Sequence, residues 1–113
     1  MINRKTRDKP IEKSIANVLK DTATRVAYLT DTEMKKFKIK SVISNINIKI
    51  LLDNALSDLM KDKDPQFEKI KVKAVKRSFT INQDRLNEMK LYLINHDNAT
   101  QDLLIYNAIL KII

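Results

Sequence analysis

From Lys76 to Ile113 the hydrophobic pattern changes period once and breaks once. Lys76-Arg77-Ser78-Phe79-Thr80-Ile81 alternates. Phe79 and Ile81 share one face, and Lys76, Ser78 and Thr80 share the other, as in a half-buried strand. The period then becomes helical. Asn82 can cap the helix, and Asp84 places a negative charge in its first turn. Leu86, Met89, Leu93 and Ile94 form an apolar stripe. Asn95-His96-Asp97-Asn98 breaks it. Thr100 caps a second helix with Asp102 in its first turn. Leu104, Ile105, Ala108, Ile109, Ile112 and Ile113 make that helix apolar over most of its circumference. One strand and two helices, about 38 residues, cannot bury enough surface to fold alone. The stretch needs a second copy.

The chain supplies one. At an offset of 52, Thr24–Ser44 lies over Lys76–His96. Arg25 meets Arg77, Ala27 meets Phe79, Leu29 meets Ile81, and the cap Thr30 meets the cap Asn82. Met34 meets Leu86, Phe37 meets Met89 and Val42 meets Ile94. One extra residue in the second turn moves the offset to 53. Asn45 then meets Asn98, Asn47 meets Thr100, Leu51 meets Leu104, and Asn54-Ala55 meets Asn107-Ala108. The repeat puts Ala27 and Leu29 inward, and Thr24, Val26 and Tyr28 outward. Periodicity alone prefers Val26 and Tyr28 in the core; the repeat register is adopted because Leu29 sets the helix spacing. Thr30-Asp31-Thr32-Glu33 reads as a capping box. The first helix of this unit should reach about Ile43, with Lys35, Lys36, Lys38 and Lys40 on a solvated face. Asn47 caps the next, which should end near Met60.

The outer segments are simpler. Met1–Pro10 reads as a basic arm carrying Arg4, Lys5, Arg7 and Lys9. Ile11, Ile15, Val18 and Leu19 predict a short amphipathic helix over 11–20. Lys61-Asp62-Lys63-Asp64-Pro65 reads as a linker that Pro65 keeps from continuing the helix. Ile70-Lys71-Val72-Lys73-Ala74 alternates, which would let the second strand begin early. Extended, the linker reaches roughly 50 Å at about 3.3 Å per residue, ample to bring both strands side by side. The expected organisation is 1–23 arm and short helix, 24–60 first unit, 61–75 linker and 76–113 second unit.

Several chemistries are absent. With no glycine there is no Gly-rich phosphate loop, and with no cysteine there is no disulfide framework or thiolate metal site. The single histidine, His96, falls in a turn and cannot build a catalytic set alone. The acidic residues fall at helix starts and in the linker. No enzyme, cofactor or metal is expected. No apolar run approaches membrane-spanning length, and the N-terminus lacks a signal-peptide pattern. The expectation is a cytoplasmic protein. A net charge of +8 suits a polyanionic partner. The Lys, Ile and Asn bias suggests an AT-rich bacterial coding sequence.

The two units resemble the ribbon-helix-helix class of β-ribbon readers, that of the Arc and Met repressors. The resemblance covers about 24–60 and 76–113. In both units the second apolar residue of the first helix, Phe37 or Met89, lies eight residues past the last inward strand residue, Leu29 or Ile81. A turn residue able to adopt the left-handed region follows, Asn45 or Asn98, where the family usually has Gly. A polar cap comes next, Asn47 or Thr100, then a small buried-face residue, Ala55 or Ala108. Two units in one chain resemble the tandem TraY-type accessory proteins of plasmid transfer. The resemblance implies a mainly α fold with a short two-stranded antiparallel β-ribbon, a tandem ribbon-helix-helix. Behind the ribbon Leu51, Leu52, Ala55, Leu56, Leu104, Ile105, Ala108 and Ile109 should centre the core. It further implies that Thr24, Val26, Tyr28, Lys76, Ser78 and Thr80 face the bases of a DNA major groove, while Asn47, Ile48, Lys49, Thr100 and Gln101 grip phosphates. From its composition, the basic arm is either a frayed terminus or a contact to phosphates or a minor groove. Expected partners are double-stranded DNA, the chain itself on adjacent sites, and a relaxase. The expected function is that of a relaxosome accessory protein at a transfer origin or an autorepressor. An antitoxin-like or helical protein-interaction module is the alternative, opposed by the absence of a C-terminal tail after the last helix.

Overall fold

The structure is a computed structural model that describes residues 22–113. The basic arm and the 11–20 helix expected from sequence lie outside the described residues. Strand, helix and helix occur in that order twice: β1 (Thr22–Leu29), α1 (Asp31–Ser44), α2 (Ile48–Met60), β2 (Val75–Asn82), α3 (Gln83–Ile94) and α4 (Gln101–Leu110). The fold is mostly helical, with β1 and β2 paired as a two-stranded antiparallel sheet. Both strands run slightly longer than the alternation predicted. Residues 70–74, where an early strand start was expected, form no strand; the Ala74 N–H bonds instead to the Lys71 carbonyl in a turn.

The register follows from the repeat. Val26 faces Ser78 across the ribbon, and these residues are 52 apart. Thr24 faces Thr80, and Tyr28 faces Lys76. An axis through the Val26–Ser78 pair therefore exchanges the two units. The inward face carries Ala27, Leu29, Phe79 and Ile81, all buried. Simple periodicity preferred Val26 and Tyr28 for this role. It failed because Ala27 stands opposite Arg77 and is covered completely despite its small side chain.

α2 and α4 pack together beneath the ribbon and cross over, α4 contacting β1 and α2 contacting β2. Each half's second helix thus supports the other half's strand. Leu51, Leu52, Ala55, Leu56, Leu104, Ile105, Ala108 and Ile109 all lie in the core. Burying them, at about 25 cal/mol per Å² of apolar area, is the main stabilising term.

The helix ends are set locally. Thr30 and Glu33 close the capping box, at 3.1 Å from the Glu33 N–H to Thr30 Oγ1 and 2.9 Å from the Thr30 N–H to Glu33 Oε1. Asn45 ends α1 in the left-handed region at φ 56°, where an Asn costs less than most residues. Asn98, its counterpart by repeat, does not do this; among the described residues only Asn45 has positive φ. The extra residue lets the second turn reverse with Asn95 right-handed and the Ala99 N–H bonded to the His96 carbonyl. Ile94, expected in the apolar stripe of α3, is 73% exposed, and its repeat equivalent Val42 is 78% exposed. The far ends of α1 and α3 project beyond the core.

The linker is pinned rather than slack. Pro65 is buried, and Phe67 and Ile70 pack against the core. The Asn107 side chain accepts from the Glu68 N–H at 2.7 Å and donates to the Glu68 carbonyl at 3.0 Å. Lys71 approaches buried Glu33 at 3.1 Å, and the Tyr106 hydroxyl donates to Glu33 at 2.7 Å. Burial pushes the Glu33 carboxyl up; the Thr30 N–H, Tyr106 hydroxyl and Lys71 ammonium outweigh it and hold the group below the usual carboxylate range.

The start of the linker meets His96. Its two ring nitrogens lie 2.9 Å from the Tyr92 carbonyl and 3.0 Å from the Lys63 carbonyl, and the ring stacks on Tyr92. A neutral imidazole can donate to one carbonyl, an imidazolium to both. The Lys63 and Tyr92 carbonyls accordingly raise the His96 pKa above 6.5. The imidazolium's contribution to stability is full below the unfolded-state pKa and lost as pH rises through the folded value. The melting temperature should therefore fall as the pH is raised past the ordinary imidazole value of about 6.5, and His96→Ala should abolish that part of the fall. Parallel pH profiles for the two proteins would contradict the clamp.

Candidate nucleic-acid interface

The outer face of the ribbon is built by three cross-strand pairs: Thr24–Thr80, Val26–Ser78 and Tyr28–Lys76. Thr24, Tyr28, Lys76, Ser78 and Thr80 are exposed, and Val26 is half-buried. These are the six residues that sequence assigned to one face. They project from a backbone held by Phe79, Ile81, Ala27 and Leu29 beneath it. The face offers hydroxyl donors and acceptors, one ammonium, one phenol and one branched apolar side chain.

The helix N-termini flank this face differently. At α2, Asn47 accepts from the Lys49 N–H at 2.8 Å, and no acidic residue occupies the first turn. Asn47 is exposed, with Ile48 and Lys49 half-buried. Asn47, Ile48 and Lys49 share a cleft with Ser78 and Thr80 of β2. The positive end of the α2 dipole and Lys49 border this cleft beside two hydroxyls, a suitable environment for an anion.

At α4 the equivalent end differs. Thr100 caps it and also donates to Asp102 in the first turn. Gln101 Oε1 accepts from Arg25 Nε at 3.1 Å, and Arg25 also donates to its neighbour's carbonyl, that of Thr24. Asp102 offsets the positive end of the helix. Thr100 and Gln101 are positioned like Asn47 and Ile48, but in a less cationic setting.

Arg25 was not foreseen as part of this region. Its signal was present: Arg25 and Arg77 occupy equivalent positions on both strands, on the inward parity. Each side chain leaves the ribbon edge to tie down a helix start. Arg25 reaches Gln101, and Arg77 reaches Asp31 at 2.7 Å. Arg85 also holds the halves together, binding Asp53 through Nε at 3.0 Å and Nη2 at 3.2 Å. The bidentate form makes this contact stronger than a single surface ion pair.

Among the described residues no group of acidic or histidine side chains could hold a metal ion, and no helix is long and apolar enough to cross a membrane. His96 is engaged with the linker backbone. No family model, curated protein or solved structure matches the chain.

Proposed function

We propose that this chain is a tandem ribbon-helix-helix protein that binds duplex DNA through the outer face of its ribbon. The observation carrying the reading is the row Thr24–Thr80, Val26–Ser78 and Tyr28–Lys76, a polar strand face standing over a closed core. A two-stranded ribbon fits the width of the major groove. Lys76 would donate to guanine O6 or N7, Ser78 and Thr80 would donate or accept, and Val26 would contact a thymine methyl. The α2 end, with Asn47, Ile48 and Lys49, would hold a phosphate beside Ser78 and Thr80. Thr100 and Gln101 would make the weaker counterpart because of Asp102. The net charge of +8 supplies general attraction to DNA. The two strands present different residues at equivalent positions, so the preferred site is asymmetric rather than palindromic.

The reading is of a binding protein of a mobile element, acting in the cytoplasm. An accessory protein at a plasmid transfer origin, with a relaxase as partner, or a repressor of its own operon would both use this face. Thr80→Ala tests it. The side chain is exposed, so the variant should melt like the wild type. Its affinity for a duplex selected from random sequence should fall by about 1–3 kcal/mol, the worth of a good base contact. An unchanged affinity would remove Thr80 from the interface.

A further inference from the structure

The far ends of α1 and α3 carry matching apolar patches outside the DNA-facing surface. On α1, Ile39, Val42 and Ile43 are 47%, 78% and 77% exposed; on α3, Leu91 and Ile94 are 64% and 73% exposed. Ile39 is equivalent to Leu91 and Val42 to Ile94 by the offset of 52. Single exposed apolar residues are ordinary, but clusters at helical spacing in both halves mark a contact surface.

Their borders differ in charge. Lys35, Lys36, Lys38 and Lys40 accompany the α1 patch, all exposed. The equivalent α3 positions are Asn87, Glu88, Lys90 and Tyr92, and exposed Asp97 follows. Glu88 contacts Arg85 at 2.6 Å yet keeps 57% of its side chain exposed. Two α1 patches brought together would set four lysines against four. An α1 patch brought to an α3 patch sets lysines against Glu88 and Asp97, with Lys90 as the one like charge on that border and apolar residues at the centre. Like charges at an interface are costly, and complementary ones select the partner.

We propose that these patches join copies of this chain head to tail, α1 of one molecule against α3 of the next. The contact is heterologous, so each added copy leaves one patch of each kind open and a row can extend. The row needs only protein and does not depend on the DNA reading.

The chain has no cysteine, so single thiols can be placed at will. Val42→Cys and Ile94→Cys are prepared as full-length chains and mixed in equal amounts without DNA. They are then treated with a short bis-maleimide. Both sites are exposed, so both variants should fold, which a melting curve confirms. The mixed Val42–Ile94 adduct should exceed either self-adduct by about tenfold. Lys36→Glu in the Val42→Cys chain should reduce that excess, and pairing it with Glu88→Lys in the Ile94→Cys chain should restore it. Predominant Val42–Val42 or Ile94–Ile94 adducts would overturn the arrangement in favour of a symmetric dimer. Adducts no more abundant than in urea would overturn self-association.

Discussion

Phe79→Ala is expected to cost about 3–5 kcal/mol of stability, the range for truncating a buried aromatic. Phe79 is 5% exposed and meets Phe37 edge-on, with ring centroids 6.2 Å apart. It lies beneath the ribbon where β2 passes over α2, so its loss opens a cavity between sheet and helices. The ribbon has only two strands and cannot close over the gap without shifting register. A small domain has about 5–15 kcal/mol in total. The melting temperature should therefore drop by more than about 10 °C, with the proposed DNA binding lost only through unfolding. Thr80, the next residue, projects from the opposite face, and its truncation should leave the melt unchanged. Urea titrations of both variants check this. A stable Phe79→Ala beside an unfolded Thr80→Ala would mean that the ribbon faces the other way.

The second large effect concerns salt. A protein that neutralises about six phosphates loses roughly a thousandfold in affinity between about 50 and 200 mM salt, because each contact releases counterions. The proposed interface has Lys76 on the ribbon and Lys49 at the α2 end, within a chain of net charge +8. Log K against log salt should therefore be steep and linear. Lys49→Ala should lower the slope by about one while leaving sequence preference intact. Asp102→Asn should strengthen binding modestly by unmasking the α4 end. A flat salt dependence would exclude duplex DNA as the main partner.

Local features of this fold were legible in the sequence. The Thr30–Glu33 box, the caps at Asn47, Asn82 and Thr100, and the helix spans rest on contacts within four residues. The strand register was legible only through the repeat. Ala27 carries too little apolar surface for periodicity to place it inside, yet it is buried because its equivalent, Phe79, and the crossing helix fix the parity. Long-range polar contacts left no readable pattern. Tyr106 to Glu33, Arg25 to Gln101 and Asn107 to Glu68 join residues 73, 76 and 39 apart. The linker looked like a spacer because its anchor lies on α4. The Asn98 expectation failed because one extra residue gave the second turn another way to reverse. Ile94 shares the apolar stripe of α3 yet is exposed, because periodicity reports which face of a helix is apolar, not how far the core extends along it.

Under the proposed function, the outer ribbon face reads bases in the major groove. This is tested most directly by titrating the chain against its selected duplex, then against the same duplex with 7-deazaguanine or 7-deazaadenine at single positions. That change removes the N7 acceptor from the major groove and leaves pairing and the minor groove intact. The expected result is a loss of about 1–3 kcal/mol at a few adjacent positions, and no further loss at the Lys76-dependent position when Lys76→Ala is used. Affinities equal to the parent duplex at every substituted position would contradict it.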